Sequence, residues 1–343
     1  GSFPQGIALL PAKVFRNIMS KIGIFCKTSF SQGMGHVVRQ SHIAKILQDR
    51  GAEVTFFIPD YPPAQTWLDQ CRFLRKTLKD PLSVTAKDIA LLDLILLDIQ
   101  DTPETFIKNI AQNNKPVVSF EDLGEGRNHV NLLIDCNLDE EKSAELPNRV
   151  QTLFSNRYCV LAQNFATFHA KKREFSNPIE SVLITMGGTD PHSLTGSLTE
   201  KLLQIQPELP ITLLAGPGCE NIPALKNLQT KTVKLLESTS QMAQTLFDHD
   251  AVFCSGGVTL DEAMAVGTPA FVINQVSHQE LKTKRAQGAA MNLGMAESWN
   301  ESRLPEILNA SPETLKKMSQ AGKSLIDGKG LIRVVDAIER LGS

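Results

Sequence analysis

The feature that most restricts what this chain can fold into is a repeated order of segments. A short, almost wholly apolar run is followed by a glycine-bearing polar loop, and then by a stretch with apolar residues at helical spacing. Ile22-Gly23-Ile24-Phe25-Cys26 leads into a loop containing Gly33 and Gly35, after which Val37, Ile43, Ala44 and Leu47 recur at a helical period. Gly51 ends that helix, and residues 54–58 are apolar again. Runs without polar alternation suit strands buried on both faces, which is the situation in parallel sheets. A parallel strand-helix-strand unit crosses over right-handed. Helices over 67–78 and 105–112 and strands over 92–97 and 116–120 continue the series, an α/β pattern.

The pattern weakens over residues 148–177 and then starts again. Ser181-Val182-Leu183-Ile184-Thr185-Met186 reads as a strand, followed by strands over 211–215, 232–236, 251–254 and 270–273. Helices are expected over 194–204, 242–247, 260–266 and 280–288, with a helical tail over 312–341 that packs on the body. A length of 343 residues exceeds one usual core and fits two. The expectation is therefore two doubly wound, Rossmann-like domains, 1–177 and 178–343, facing each other across a cleft. Ligands of such sheets lie at the carboxyl ends of the strands.

Composition narrows the ligand. Against 35 Lys+Arg stand 37 Asp+Glu, a net charge of -2, which provides no surplus for a nucleic-acid backbone. With 2 Trp and 2 Tyr there is little from which to build base-stacking platforms. The six cysteines are scattered without a C-x-x-C pair, reading as reduced thiols in a cytoplasmic protein. The longest apolar candidate, 89–99, is broken by Asp93 and Asp98, so no integral membrane segment is expected. Gly1-Ser2 reads as a tag remnant, residues 7–19 lack signal-peptide features, and Met19 is a candidate native start.

Three strand-to-helix junctions carry the chemistry. In Gly33-Met34-Gly35-His36-Val37-Val38-Arg39 the glycines admit a ligand to the backbone and the new helix offers its positive end. His36 there is either a general base at the mouth of the cleft or a capping or solvent-exposed histidine. In Gly187-Gly188-Thr189-Asp190-Pro191 the paired glycines either meet a phosphate or only make the turn, while Asp190 either caps its helix or touches a sugar. In Ser255-Gly256-Gly257-Val258-Thr259 a strand ends, two glycines turn and a helix begins, the geometry for a diphosphate. Glu262 follows within one turn and could accept from ribose hydroxyls. Asp248-His249-Asp250 precedes its strand and reads as a solvated turn, so no Asp-x-Asp pair stands at a strand end; no metal and no cofactor is expected, as the resemblance given below implies. His129 reads as holding a loop, and His42 and His192 as surface or helix residues.

Taken in order, these junctions resemble the UDP-sugar hydrolase family of pseudaminic acid biosynthesis, from about residue 21 to 294. The Gly33 to Arg39 stretch is similar to that family's N-terminal motif. Gly187-Gly188-Thr189-Asp190-Pro191 resembles its Gly-Gly-Ser-Asp-Pro loop, and Gly256-Gly257-Val258-Thr259 with Glu262, Gly267 and Pro269 lines up with its third motif. Asp98 matches an aspartate of the pattern; the neighbouring tyrosine is replaced by Gln100 or Asp101. Ser277-His278-Gln279 with Gly288-Ala289-Ala290 is instead similar to the N-acetylglucosaminyltransferase that makes lipid II. Both families share the GT-B architecture. The resemblance implies a UDP-sugar substrate, water attacking the anomeric carbon and UDP leaving, with His36 as base. It implies a diphosphate over Gly256 and Gly257, with Glu262 on the ribose and Gln279 near the diphosphate or sugar. Transfer of the sugar to an acceptor is the alternative, motivated by His278-Gln279 and the absent tyrosine; a non-catalytic sugar-nucleotide sensor is a third reading.

Overall fold

The computed structural model describes residues 20–29, 34–111, 114–216, 218–286 and 288–342. Gly33 and the segment 1–19 lie outside them. The first lobe runs β1 (Lys21–Cys26), α1 (Gly35–Asp49), β2 (Glu53–Ile58), α2 (Pro62–Gln70), β3 (Leu74–Thr77), α3 (Ala86–Ile89), β4 (Leu94–Asp98), α4 (Glu104–Ala111), β5 (Val117–Phe120), β6 (Leu132–Asp135) and β7 (Gln151–Phe154). After α5 (Asn164–His169), the second lobe runs β8 (Val182–Thr185), α6 (Leu194–Ile205), β9 (Ile211–Leu214), α7 (Ile222–Asn227), β10 (Val233–Leu236), α8 (Met242–Phe247), β11 (Ala251–Cys254), α9 (Val258–Val266), β12 (Ala270–Asn274), α10 (Ser277–Arg285) and β13 (Ala290–Met295). Helices α11 (Leu304–Leu308), α12 (Pro312–Leu325) and α13 (Gly330–Leu341) close the chain.

Each lobe is built on a parallel sheet, ordered β3-β2-β1-β4-β5-β6-β7 and β10-β9-β8-β11-β12-β13 among the described residues. Strand order reverses between β1 and β4 in the first and between β8 and β11 in the second. These are the switch points at which doubly wound sheets open a crevice. The predicted two-lobe α/β architecture is thus observed.

The central strands follow from their composition. Leu94, Ile95, Leu96 and Leu97 of β4 are all buried, each side chain contributing roughly 1.5–3 kcal/mol by leaving water. Alternate residues feed apolar layers on the two faces: Leu94 and Leu96 join Ile24 and Phe56, whereas Ile95 and Leu97 join Phe25 and Phe57. Phe25 and Phe57 stack with centroids 4.4 Å apart.

Several elements differ from the sequence expectation. The helix expected over 67–78 is α2, started by Pro62 and Pro63, and the edge strand β3. Arg72, with φ 61°, turns the chain between them. The strands β6, β7 and β13 were not anticipated, and Asp248-His249-Asp250 is not a solvated turn. His249 Nε2 lies 2.7 Å from Thr212 Oγ1, and Asp250 accepts the Glu180 and Ser181 N–H groups at 2.8 and 3.0 Å. The expected division at 177/178 falls between the two sheets, but packing crosses it. Phe165 and Phe168 of α5 join the apolar layer of α9, while Leu331, Val334, Val335 and Ile338 of α13 join that of α1. Arg50 ties α13 to the first lobe through Asp336 and Glu339. No helix among the described residues is long and apolar enough to cross a membrane.

Candidate functional site

The switch point of the first lobe places α1 beside the end of β4. α1 starts at Gly35, where an added Cβ would meet no described residue within 4 Å, and carries His36, Arg39 and Gln40 on the turn that faces Asp98. Asp98 is wholly buried at the last position of β4. A buried carboxylate is costly unless its oxygens are paired, and here all the partners come from α1. Oδ1 accepts from His36 Nδ1 at 2.5 Å and from Arg39 Nη2 at 2.7 Å; Oδ2 accepts from Arg39 Nε at 3.0 Å and from Gln40 Nε2 at 2.9 Å. Burial pushes the carboxyl up, but Arg39 and His36 outweigh it and hold Asp98 well below the ordinary carboxylate range. An ionised Asp98 can only accept, so Nδ1 of His36 carries a proton and neutral His36 keeps its Nε2 lone pair free. That is the arrangement of a general base.

Sequence reasoning missed Glu121, which follows β5 with φ 47°. Its Oε1 accepts from Arg39 Nη1 at 2.6 Å and from Asn137 Nδ2 at 3.1 Å. Arg39 is therefore engaged on two carboxylates. The geometry gives it an internal role in place of the ligand contact expected from the motif. A signal existed in Phe120-Glu121-Asp122, acidic residues directly after an apolar run.

The switch point of the second lobe brings the two glycine pairs together, with Gly187 against the Ser255 side chain. A Cβ on Gly216 would collide with the Gly187 and Gly188 carbonyls, and Gly218 N donates to Gly188 O at 2.8 Å, so the 187–188 turn is braced by a loop that sequence reasoning passed over. The helices behind the two turns differ. Asp190 Oδ1 and Oδ2 accept from Leu194 N and Thr195 N at 2.8 and 3.0 Å, which resolves its ambiguity in favour of capping and fills the N-terminus of α6. The N-cap of α9 is Gly257, which has no side chain to offer, and Val258 beside it is exposed. The amino end of α9 is the open one, with its partial positive charge unanswered by a cap.

Glu262, half-buried on α9, is pushed up to about 8 by burial, with Asp261 adding and Lys282 opposing. Asp261 itself pairs with Lys282. His278 is exposed on the first turn of α10. Gln279 Oε1 accepts from Gln275 N at 2.9 Å, so this side chain staples the loop before α10, with its Nε2 toward Gly257. Thr259 is nearly buried behind Val258. His129 bridges Glu104 and Arg149, a loop-holding role.

The two switch points open toward each other. Lys282 of the second lobe acts electrostatically on Glu121, and Glu121 on Asp261. The Tyr61 hydroxyl of the first lobe approaches Gly218 of the second, and Arg285 Nη2 pairs with Asp139 Oδ1 at 2.6 Å. Glu121, which holds Arg39 on Asp98, thus faces Lys282 and Asp261 across the lobes. Among the described residues no group of His, Cys, Asp and Glu is arranged to hold a metal ion.

No family model matches the sequence. The chain is 26% identical over 346 residues to the spore coat polysaccharide biosynthesis protein SpsG of Bacillus subtilis, covering 93% of this chain and 98% of that one. By structure it is similar to Acinetobacter baumannii MurG, with a TM-score of 0.66 at 14% identity over 94% of this chain and 100% of that one. It is also similar to the calicheamicin glycosyltransferase CalG4, with a TM-score of 0.64 at 11% identity over 94% and 98% of the two chains. Other structures that align, at TM-scores of 0.58–0.60, contain UDP, UDP-glucose or UDP-L-rhamnose. The fold is GT-B.

Proposed function

We propose that this chain is a UDP-sugar-dependent enzyme of surface-polysaccharide biosynthesis that breaks the anomeric C–O bond of its donor and transfers the sugar to an acceptor hydroxyl. The observation that carries the reading is the pairing of an oriented His36–Asp98 dyad in one lobe with the uncapped amino end of α9 in the other. The donor diphosphate lies over Gly256 and Gly257 against Val258 and Thr259. Glu262 receives the ribose hydroxyls. Nε2 of His36 takes the proton of the attacking hydroxyl as its oxygen bonds to the anomeric carbon. The bond to the diphosphate oxygen breaks, and UDP leaves with the electron pair. Helix-end N–H groups stabilise the charge that develops on it, a contribution that is greatest in a cleft shielded from water. The likeness to SpsG supports the polysaccharide setting, and glycosyltransferases of the same fold support transfer.

Hydrolysis is the second reading, favoured by the ordered Gly33 to Arg39, Gly187 to Pro191 and Gly256 to Glu262 motifs; water then takes the place of the acceptor. Incubation with UDP-N-acetylglucosamine and UDP-linked deoxyamino sugars, with and without sugar and polyol acceptors, separates the two. Transfer predicts UDP release that depends on an acceptor. Release of equal UDP and free sugar without one, with oxygen-18 from water in the sugar, would establish hydrolysis. Absence of turnover together with selective UDP-sugar binding would leave a sensor.

A further inference from the structure

The dyad does not stand alone. Arg39 grips both oxygens of Asp98 through Nε and Nη2, and its third nitrogen, Nη1, is held by Glu121. Glu121 sits in the left-handed region of backbone space, uncommon for a side chain of its kind, and is fixed further by Asn137. The guanidinium is therefore oriented from both ends, and a planar fork gripping a carboxylate at two points fixes its rotation as well as its charge. We propose that Arg39 and Glu121 are positioning residues for His36. Glu121 sets the plane of the guanidinium, and the guanidinium sets Asp98 in the rotation from which Oδ1 accepts the His36 Nδ1–H. This rests on the reading of His36 as base, but its structural content can be tested without any substrate.

The arrangement answers a problem of charge. An aspartate paired only to histidine favours the imidazolium, which is no base. Arg39 offsets the Asp98 charge, and Glu121 holds the guanidinium in place on it. Other groups facing this network are Cys26 at the end of β1, Asp135 and Cys136 at the end of β6, and Lys282 and Asp261 of the second lobe. Cys26 is pushed up by burial, so it stays a neutral thiol. Asp135 is pushed up to about 6 by burial and by Glu121 and carries its charge above that pH. Lys282 answers Asp261 in the second lobe.

Nitrogen-15 NMR of the histidine side chains in the full chain reports the tautomer directly, with His36→Asn assigning the signal among the seven histidines. The wild type is expected to show a single Nδ1–H tautomer at His36. Arg39→Gln should give a mixture of both tautomers. Arg39→Lys should also leave the tautomers mixed, because it returns the charge without the fork. Glu121→Gln should likewise mix the tautomers. A single Nδ1–H tautomer in both Glu121→Gln and Arg39→Lys would overturn the proposal, and those two conservative variants decide it if Arg39→Gln fails to fold. If the tautomer shifts occur in a protein that turns over no UDP-sugar, the positioning pair stands and the proposed function falls.

Discussion

Two carboxylates in the cleft are pushed in opposite directions by what surrounds them. Asp98 is as deeply buried as any core residue, yet four donated bonds keep it ionised. Glu262 lacks such donors and is pushed up to about 8, first by burial and then by Asp261. A carboxyl whose folded value lies above its unfolded value adds stability that is complete below the unfolded value, near 4.5, and is lost as pH rises through about 8. In the proposed role the ribose hydroxyls donate to the ionised form, so donor binding must expel the proton. The affinity for UDP-N-acetylglucosamine should therefore rise with pH up to about 8, by at most about tenfold per unit for one proton. Glu262→Gln should flatten that dependence; calorimetric titration at a series of pH values checks it, and a flat wild-type profile would count against Glu262 as the ribose partner. At this scale the sequence made His36, Asp98 and Glu262 legible, because each stands at a strand end or in a first helical turn. It left the engagements of Arg39, Asp190 and Gln279 unread. Whether a polar side chain faces a ligand or a neighbouring backbone depends on segments far away, such as Glu121 for Arg39.

At the scale of elements, the turn from β11 into α9 depends on contact between helices. A Cβ on Gly256 would lie 2.6 Å from Asn274 Oδ1, 2.7 Å from Thr283 Oγ1 and 2.8 Å from the Gln279 carbonyl, whereas one on Gly257 meets nothing closer than 3.8 Å. Gly256→Ala should thus push α10 away from α9, with a loss of roughly 1–3 kcal/mol typical of overpacking, and weaken donor binding. Gly257→Ala, at a negative φ of -90°, should be near neutral for stability. Denaturant unfolding of both variants checks the contrast; equal stabilities would show that the close approach is not required. Elements with long apolar runs, such as β4 and β12, were readable from sequence. The four-residue strands β3, β6 and β7 were not, because β3 and β7 at the sheet edges are only partly buried and no long apolar run marks β6. The span 67–78 reads as one helix in the sequence since nothing in its composition announces the positive φ at Arg72.

For the whole molecule, two parallel sheets turn their switch points toward each other, and α13 binds the lobes together. α13 returns from the second lobe to pack on α1, the helix that carries His36. Two lobes were evident from length and from the repeated order of segments. The return of α13 was not, since an amphipathic helix does not state which apolar face it will cover. The central claim is that His36, aimed by Asp98, removes the proton from the group that attacks the donor. The measurement that tests it most directly is kcat for UDP release by His36→Asn, at saturating donor and with any required acceptor. A fall of about 10²–10⁴-fold with KM little changed is predicted for a lost general base. Turnover within a few fold of the wild type would contradict it.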